Sequence, residues 1–139
     1  MKNRKRGFSL VELLIVLAVI AALIATITPV ALNAIRKSKA TQVAQNLKTL
    51  VSAIENKAYV DGKVEDTLNG EITGDELKQF VRDLDSKLYS VVYTSSQGVY
   101  TVTAIYSGTD VAQDLVKEML PNVGTSTTGL YYTITFMLY

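Results

Sequence analysis

The chain of 139 residues contains no histidine and no cysteine. Their absence excludes thiol and histidine-based catalysis, zinc sites built on those ligands, and disulfide stapling. An excess of one charge is also missing. With 14 basic and 13 acidic side chains, the chain disfavours nucleic-acid binding through a general basic surface. Proline is scarce, Pro29 and Pro121 being the two. The length holds one modest domain and an appendage, not two full domains. What the chain does have is a sharp separation of its charges from its apolar residues.

Residues 1–7 carry Lys2, Arg4, Lys5 and Arg6, and the 25 residues from Phe8 to Leu32 then carry one charge, Glu12. Residues 13–25 are apolar without exception. At ~1.5 Å per residue this run reaches roughly 38 Å as a helix, enough for a hydrocarbon core of ~30 Å. A helix apolar on every side belongs in a bilayer or in the core of an assembly. A secretory signal also starts with basic residues, but its apolar region is about 7–15 residues and ends at a small-residue cleavage site. A plain signal-anchor fits the length and leaves Glu12 unexplained. A carboxylate at the middle of a membrane helix costs about 2.5–3.5 kcal/mol, and less near the interface. Glu12 therefore either meets a partner or is solvated among the headgroups.

The stretch Gly7-Phe8-Ser9-Leu10-Val11-Glu12-Leu13-Leu14-Ile15-Val16 behind a short basic leader resembles the signal of type IV pilins and pseudopilins. The likeness covers roughly residues 4–32 and includes Pro29, where pilins carry a helix-kinking proline. Ala21 stands where many pilins have glycine, so any local loosening of the helix rests on Pro29, which lacks a backbone donor and disfavours helix at Thr28. The resemblance implies that a prepilin peptidase cuts after Gly7 and methylates the new N-terminal Phe8. It also implies that Glu12 of an incoming subunit pairs with the Phe8 ammonium of a neighbour. Physically, Glu12 lies four residues from that ammonium, so pairing within one chain is open as well. In an apolar surround a lone charge is costly and pairing offsets much of the cost, so such a pair selects register more than it adds stability. Lipid tails are as apolar as neighbouring side chains, so leaving the membrane for a filament is close to neutral for the apolar run. An assembly ATPase and its inner-membrane platform protein are the energy source that the resemblance implies.

Beyond the run, Ile35, Val43, Ala44, Leu47, Leu50, Val51, Ile54 and Ala58 repeat at three- and four-residue steps among polar side chains. That stripe predicts an amphipathic continuation of the helix packed on a small sheet. Residues 59–72 read as a polar loop. Thr73 and Glu76 suggest a capping box ahead of a helix that buries Leu77, Phe80, Val81 and Leu84. Strand patterns follow over Leu88–Thr94 and Val99–Tyr106, joined by Ser95-Ser96-Gln97-Gly98. Asp110 with Gln113 predicts the start of a short helix ended by Pro121. After a Gly/Ser/Thr-rich loop over residues 122–129, a last strand places Leu130, Tyr132, Ile134, Phe136 and Leu138 on one face. Asp61, Glu65, Asp66, Glu71, Asp75 and Glu76 lack the spacing of a calcium loop and read as a solvated acidic face. Seven of the eight tyrosines fall between Tyr89 and Tyr139, and sheet packing accounts for tyrosine there.

These readings predict an α+β protein: a long N-terminal helix, bent at Pro29, half transmembrane and half amphipathic, packed on a three-stranded antiparallel sheet. The expected divisions are a leader over 1–7, a transmembrane or filament-core helix over 8–32, and a pilin-like head over 33–139. The expected function is a structural subunit of a type IV pilus, a homo-oligomeric filament. A pseudopilin of a type II secretion or competence system is the near alternative. A membrane-anchored adhesin or binding domain that never polymerises is the alternative of another class. Nothing in the sequence suggests an enzyme, a cofactor or a metal. Removal of the leader leaves ten basic against thirteen acidic side chains, which disfavours nucleic acid as a partner of the bare subunit. Four cations before the apolar run against Arg36, Lys37 and Lys39 after it give a weak bias towards a cytoplasmic N-terminus. The ~100 residues that follow decide the matter, because long domains translocate largely regardless of charge. The precursor is thus expected in the cytoplasmic membrane, and the filament outside the cell.

Overall fold

A computed structural model describes residues 7, 9–64 and 69–138. Its elements are a helix α1 (Leu10–Asp61), strands β1 (Asn69–Thr73), β2 (Tyr89–Ser96) and β3 (Val99–Tyr106), a helix α2 (Gln113–Met119), and strands β4 (Gly124–Ser126) and β5 (Gly129–Met137). The chain divides into two compact units, residues 1–35 and Arg36–Tyr139.

The first unit is the apolar part of α1, in which every described residue is exposed. Helix runs without interruption through Ala21 and Pro29. Two hydroxyls in this stretch are satisfied locally: Thr26 donates to the carbonyl of Ala22 at 2.7 Å and Thr28 to that of Ile24 at 2.8 Å. This back-bonding lets a polar side chain sit on an otherwise apolar helix without an orphan donor.

In the second unit the remainder of α1 lies on a five-stranded antiparallel sheet of order β1-β2-β3-β5-β4. The expected stripe is buried at Val43, Ala44, Leu47, Leu50, Val51, Ile54 and Ala58, and Ala40 joins it. Ile35 does not; it is 54% exposed and belongs to the apolar unit. Cross-strand rows form the opposing face. Gly70, Tyr93, Val102 and Ile134 make one row, and Ile72, Val91, Ala104 and Tyr132 the next. Tyr89, Tyr106 and Leu130 follow one pair further on. Alternation explains this, since every second residue of a strand faces the helix. The outer face carries a threonine ladder in which Thr103 and Thr133 share a 2.8 Å hydrogen bond.

Five strands replace the three expected. The two additions are both edges: β1 closes what reads as a polar loop, and β4 lies inside the Gly/Ser/Thr-rich stretch. Each holds a glycine opposite a tyrosine of the neighbouring strand, Gly70 with Tyr93 and Gly124 with Tyr131. In each case the tyrosine ring occupies the space a Cβ would take. A ring laid over an edge glycine restores the cross-strand contact that the glycine lacks.

Three local readings are corrected. The segment after Thr73 is a 3-10 helix, Gly74–Gln79, and Thr73 makes no side-chain cap. Thr73 is held in β1 opposite Ser90, and Gly74 follows with a φ of +60°, which breaks the capping geometry. The expected apolar residues still pack inward, Leu77 and Leu84 buried and Phe80 and Val81 half-buried. The strand expected over Leu88–Thr94 runs over Tyr89–Ser96, because Gln97 and Gly98 alone, at φ of +53° and +80°, make the turn into β3. Both central residues in the left-handed region match the twist of a two-residue hairpin. Helix α2 begins after Ala112 instead of at Asp110, whose carboxylate is engaged elsewhere.

Candidate assembly site

Helix α1 starts with a cap that the sequence reading overlooked. The Ser9 Oγ accepts a hydrogen bond from the Glu12 backbone N–H at 3.1 Å, and the Ser9 carbonyl accepts the Leu13 N–H at 3.1 Å. Ser-x-x-Glu ahead of an apolar run is the signal that marks such a start. Glu12 therefore sits in the first helical turn, exposed, where the helix dipole favours a negative charge. Gly7 lies just outside the helix, and a Cβ built on it meets none of the described residues within 4 Å. Nothing among the described residues thus requires glycine at position 7. Phe8 and the leader residues 1–6, on which the expected cut and methylation fall, lie outside the described residues, as do Glu65 and Asp66 of the acidic face.

From Leu10 to Ile35 the helix offers the solvent leucine, isoleucine and valine on all sides, with Leu13 48% and Ile27 61% exposed. At ~1.5 Å per residue these positions extend about 39 Å, and none of them is buried among the described residues. An apolar surface of this extent needs a bilayer or other subunits. Pro29 lies inside this stretch, seventeen positions after Glu12.

The head carries a second polar cluster. Tyr106 donates a 2.5 Å hydrogen bond to Asp110, and Lys39 lies 3.4 Å from the other carboxylate oxygen. Asn46 donates to the Tyr89 hydroxyl at 3.1 Å, and the two tyrosine rings are 5.0 Å apart. Burial pushes the phenol of Tyr89 up, and burial with the neighbouring Asp110 pushes that of Tyr106 well above the ordinary tyrosine range. The Tyr106 hydrogen bond, aided by Lys39, holds Asp110 below the usual carboxylate range. A cleft of about 190 Å³ opens beside them, lined also by Asp83 and Asp85. This arrangement ties α1 to the β3–α2 connection. Among the described residues no group of three acidic side chains could hold a metal ion; Asp75 is paired with Lys78 at 2.6 Å.

Residues 2–28 match the prokaryotic N-terminal methylation motif. That motif is the hallmark of type IV pilins and pseudopilins. No curated protein and no solved structure matches the chain. In this chain the motif covers Gly7, Ser9 and Glu12, and it ends one residue short of Pro29. The α+β head is pilin-like: a long helix whose second half backs onto an antiparallel sheet. The motif together with the exposed apolar helix fits a precursor anchored in a membrane.

Proposed function

We infer that this chain is a prepilin whose mature form polymerises into a type IV pilus. The observation that carries the reading is an uncovered apolar helix with one carboxylate in its first turn, most of it within the methylation motif. A prepilin peptidase cuts between Gly7 and Phe8 and methylates the Phe8 amine. A glycine that nothing among the described residues requires supports a demand made by a processing enzyme. The N-terminus faces the cytoplasm in the precursor, and the head lies outside. Once cut, the chain keeps one positive terminal group beside a helix whose nearest acid is Glu12. In the filament Glu12 meets the Phe8 ammonium of a neighbouring subunit, and this pair sets register as the apolar helices bundle. An assembly ATPase and a platform protein drive extraction from the membrane, because burial in lipid and burial in the filament are nearly equivalent for the helix. The role is structural, not catalytic.

Intact mass of the chain purified from its host tests the processing step: residues 1–7 should be absent and one methyl group present on Phe8. An uncut chain would favour a permanently anchored binding domain. Electron microscopy of sheared surface filaments, with mass spectrometry of their main component, tests polymerisation. Filaments composed mainly of this chain support the pilus. A processed chain confined to the membrane would favour a pseudopilin instead.

A further inference from the structure

The uncharged stretch of α1 ends at Ile35, and Arg36, Lys37 and Lys39 follow within about one turn. Cations after an outward-running helix go against the usual bias, which keeps lysine and arginine on the cytoplasmic side. Helix α1 offers them no internal partner, because no acidic residue lies between Glu12 and Glu55. Lys39 is drawn to Asp110. Arg36 and Lys37 are exposed, and among the described residues neither takes part in an ion pair.

We propose that Arg36 and Lys37 form a collar that binds anionic lipid headgroups of the outward-facing leaflet and fixes the depth of the precursor. The proposal rests on the anchored-precursor reading above. Twenty-four helical steps separate Glu12 from Arg36, about 36 Å at ~1.5 Å each. A hydrocarbon core of ~30 Å leaves about 3 Å at either end. With Glu12 at the inner headgroups, Arg36 emerges at the level of the outer phosphates. Its guanidinium can hold a phosphate in bidentate fashion, and Lys37 adds a point charge on a stem long enough to lie along the acyl boundary. An acidic face on a second copy is the competing partner for the same two cations.

The test reconstitutes the full chain into phosphatidylcholine vesicles containing a trace of spin-labelled phosphatidylglycerol or spin-labelled phosphatidylcholine. The wild type should select the anionic label, and R36Q/K37Q, with its leader intact, should lose part of that preference, about fivefold per cation removed. High salt should narrow the difference between the two chains. Equal selectivity in both inserted chains would overturn the proposal; a simultaneous loss of surface filaments would assign the cations to a second copy. A wild-type chain that washes off vesicles without inserting would instead overturn the anchored-precursor reading, and the collar with it.

Discussion

The phenol of Tyr106 and the carboxylate of Asp110, four residues apart, share a 2.5 Å hydrogen bond, and the Lys39 ammonium completes the group from α1. Asp110 is held below its ordinary range chiefly by Tyr106, so its contribution is present above the unfolded value near 3.9 and fades as pH falls through the lower folded value. Tyr106 is shifted the other way. Its contribution is present below the unfolded value of about 10 and fades as pH rises beyond it, with Tyr89 adding to the same flank. Denaturant midpoints of the detergent-solubilised chain should therefore form a plateau that falls below about pH 4 and above about pH 10. Tyr106→Phe should lower the plateau and flatten both flanks. Flanks unchanged in that variant would remove Tyr106 and Asp110 as their source.

Glycines beneath tyrosine rings make a second prediction. A Cβ on Gly70 would lie 2.6 Å from the Tyr93 hydroxyl, and one on Gly108 would lie as badly against Tyr106. Gly70→Ala should cost about 1–3 kcal/mol, the range for an overpacked site. Adding Tyr93→Leu shortens the ring's reach, so the two changes together should cost less than their sum. Strict additivity in a denaturation cycle would show that Tyr93 does not cover Gly70 in solution.

Legibility followed the strength of each periodic signal. The apolar helix and the stripe from Val43 to Ala58 could be read because many residues repeat one pattern. Strand β3 could be read to the residue because its alternation is complete. Strand β1 could not, because Asn69, Gly70 and Glu71 are poor strand formers, and Ile72 alone marks its inner face. Its place in the sheet comes from pairing with β2 and from the Tyr93 ring, both tertiary effects. At the candidate site Glu12 was legible as a charge out of place. The Ser9 cap is equally present in the sequence, because Ser9 and Glu12 have the same spacing as Thr73 and Glu76. The group of Lys39, Tyr106 and Asp110 had no local signal, since 71 residues separate its first and last members.

Ile35 and Leu50 share the helical stripe in sequence and differ in structure, Ile35 being 54% exposed and Leu50 fully buried. Leu50→Ala should destabilise the head by about 2–5 kcal/mol, the cost of a lost side chain and the cavity left behind. Ile35→Ala should leave head stability within about 0.5 kcal/mol of the wild type, as surface changes do. Chemical denaturation followed by near-ultraviolet tyrosine signals reads both, because the tyrosines lie in the head. Comparable losses would place Ile35 in the core after all.

Ser9 and Glu12 permit a separation of two roles that one deletion would confuse. Ser9→Ala removes the oxygen that accepts the Glu12 N–H, which should cost about 1 kcal/mol at the helix start while leaving the Glu12 charge in place. Glu12→Gln retains size, polarity and that backbone bond, and removes only the charge. If Glu12 acts by pairing with the terminal ammonium of a neighbouring subunit, Glu12→Gln should abolish most surface filaments. Ser9→Ala should then build them at close to the wild-type yield, because a capping loss at one end of a 52-residue helix is small beside the packing of the whole. Intact mass must show both variants cut after Gly7, since either change lies near the expected processing site. The reverse order of yields, with the serine variant the more damaged, would mean that Glu12 serves the helix start and not the contact between subunits.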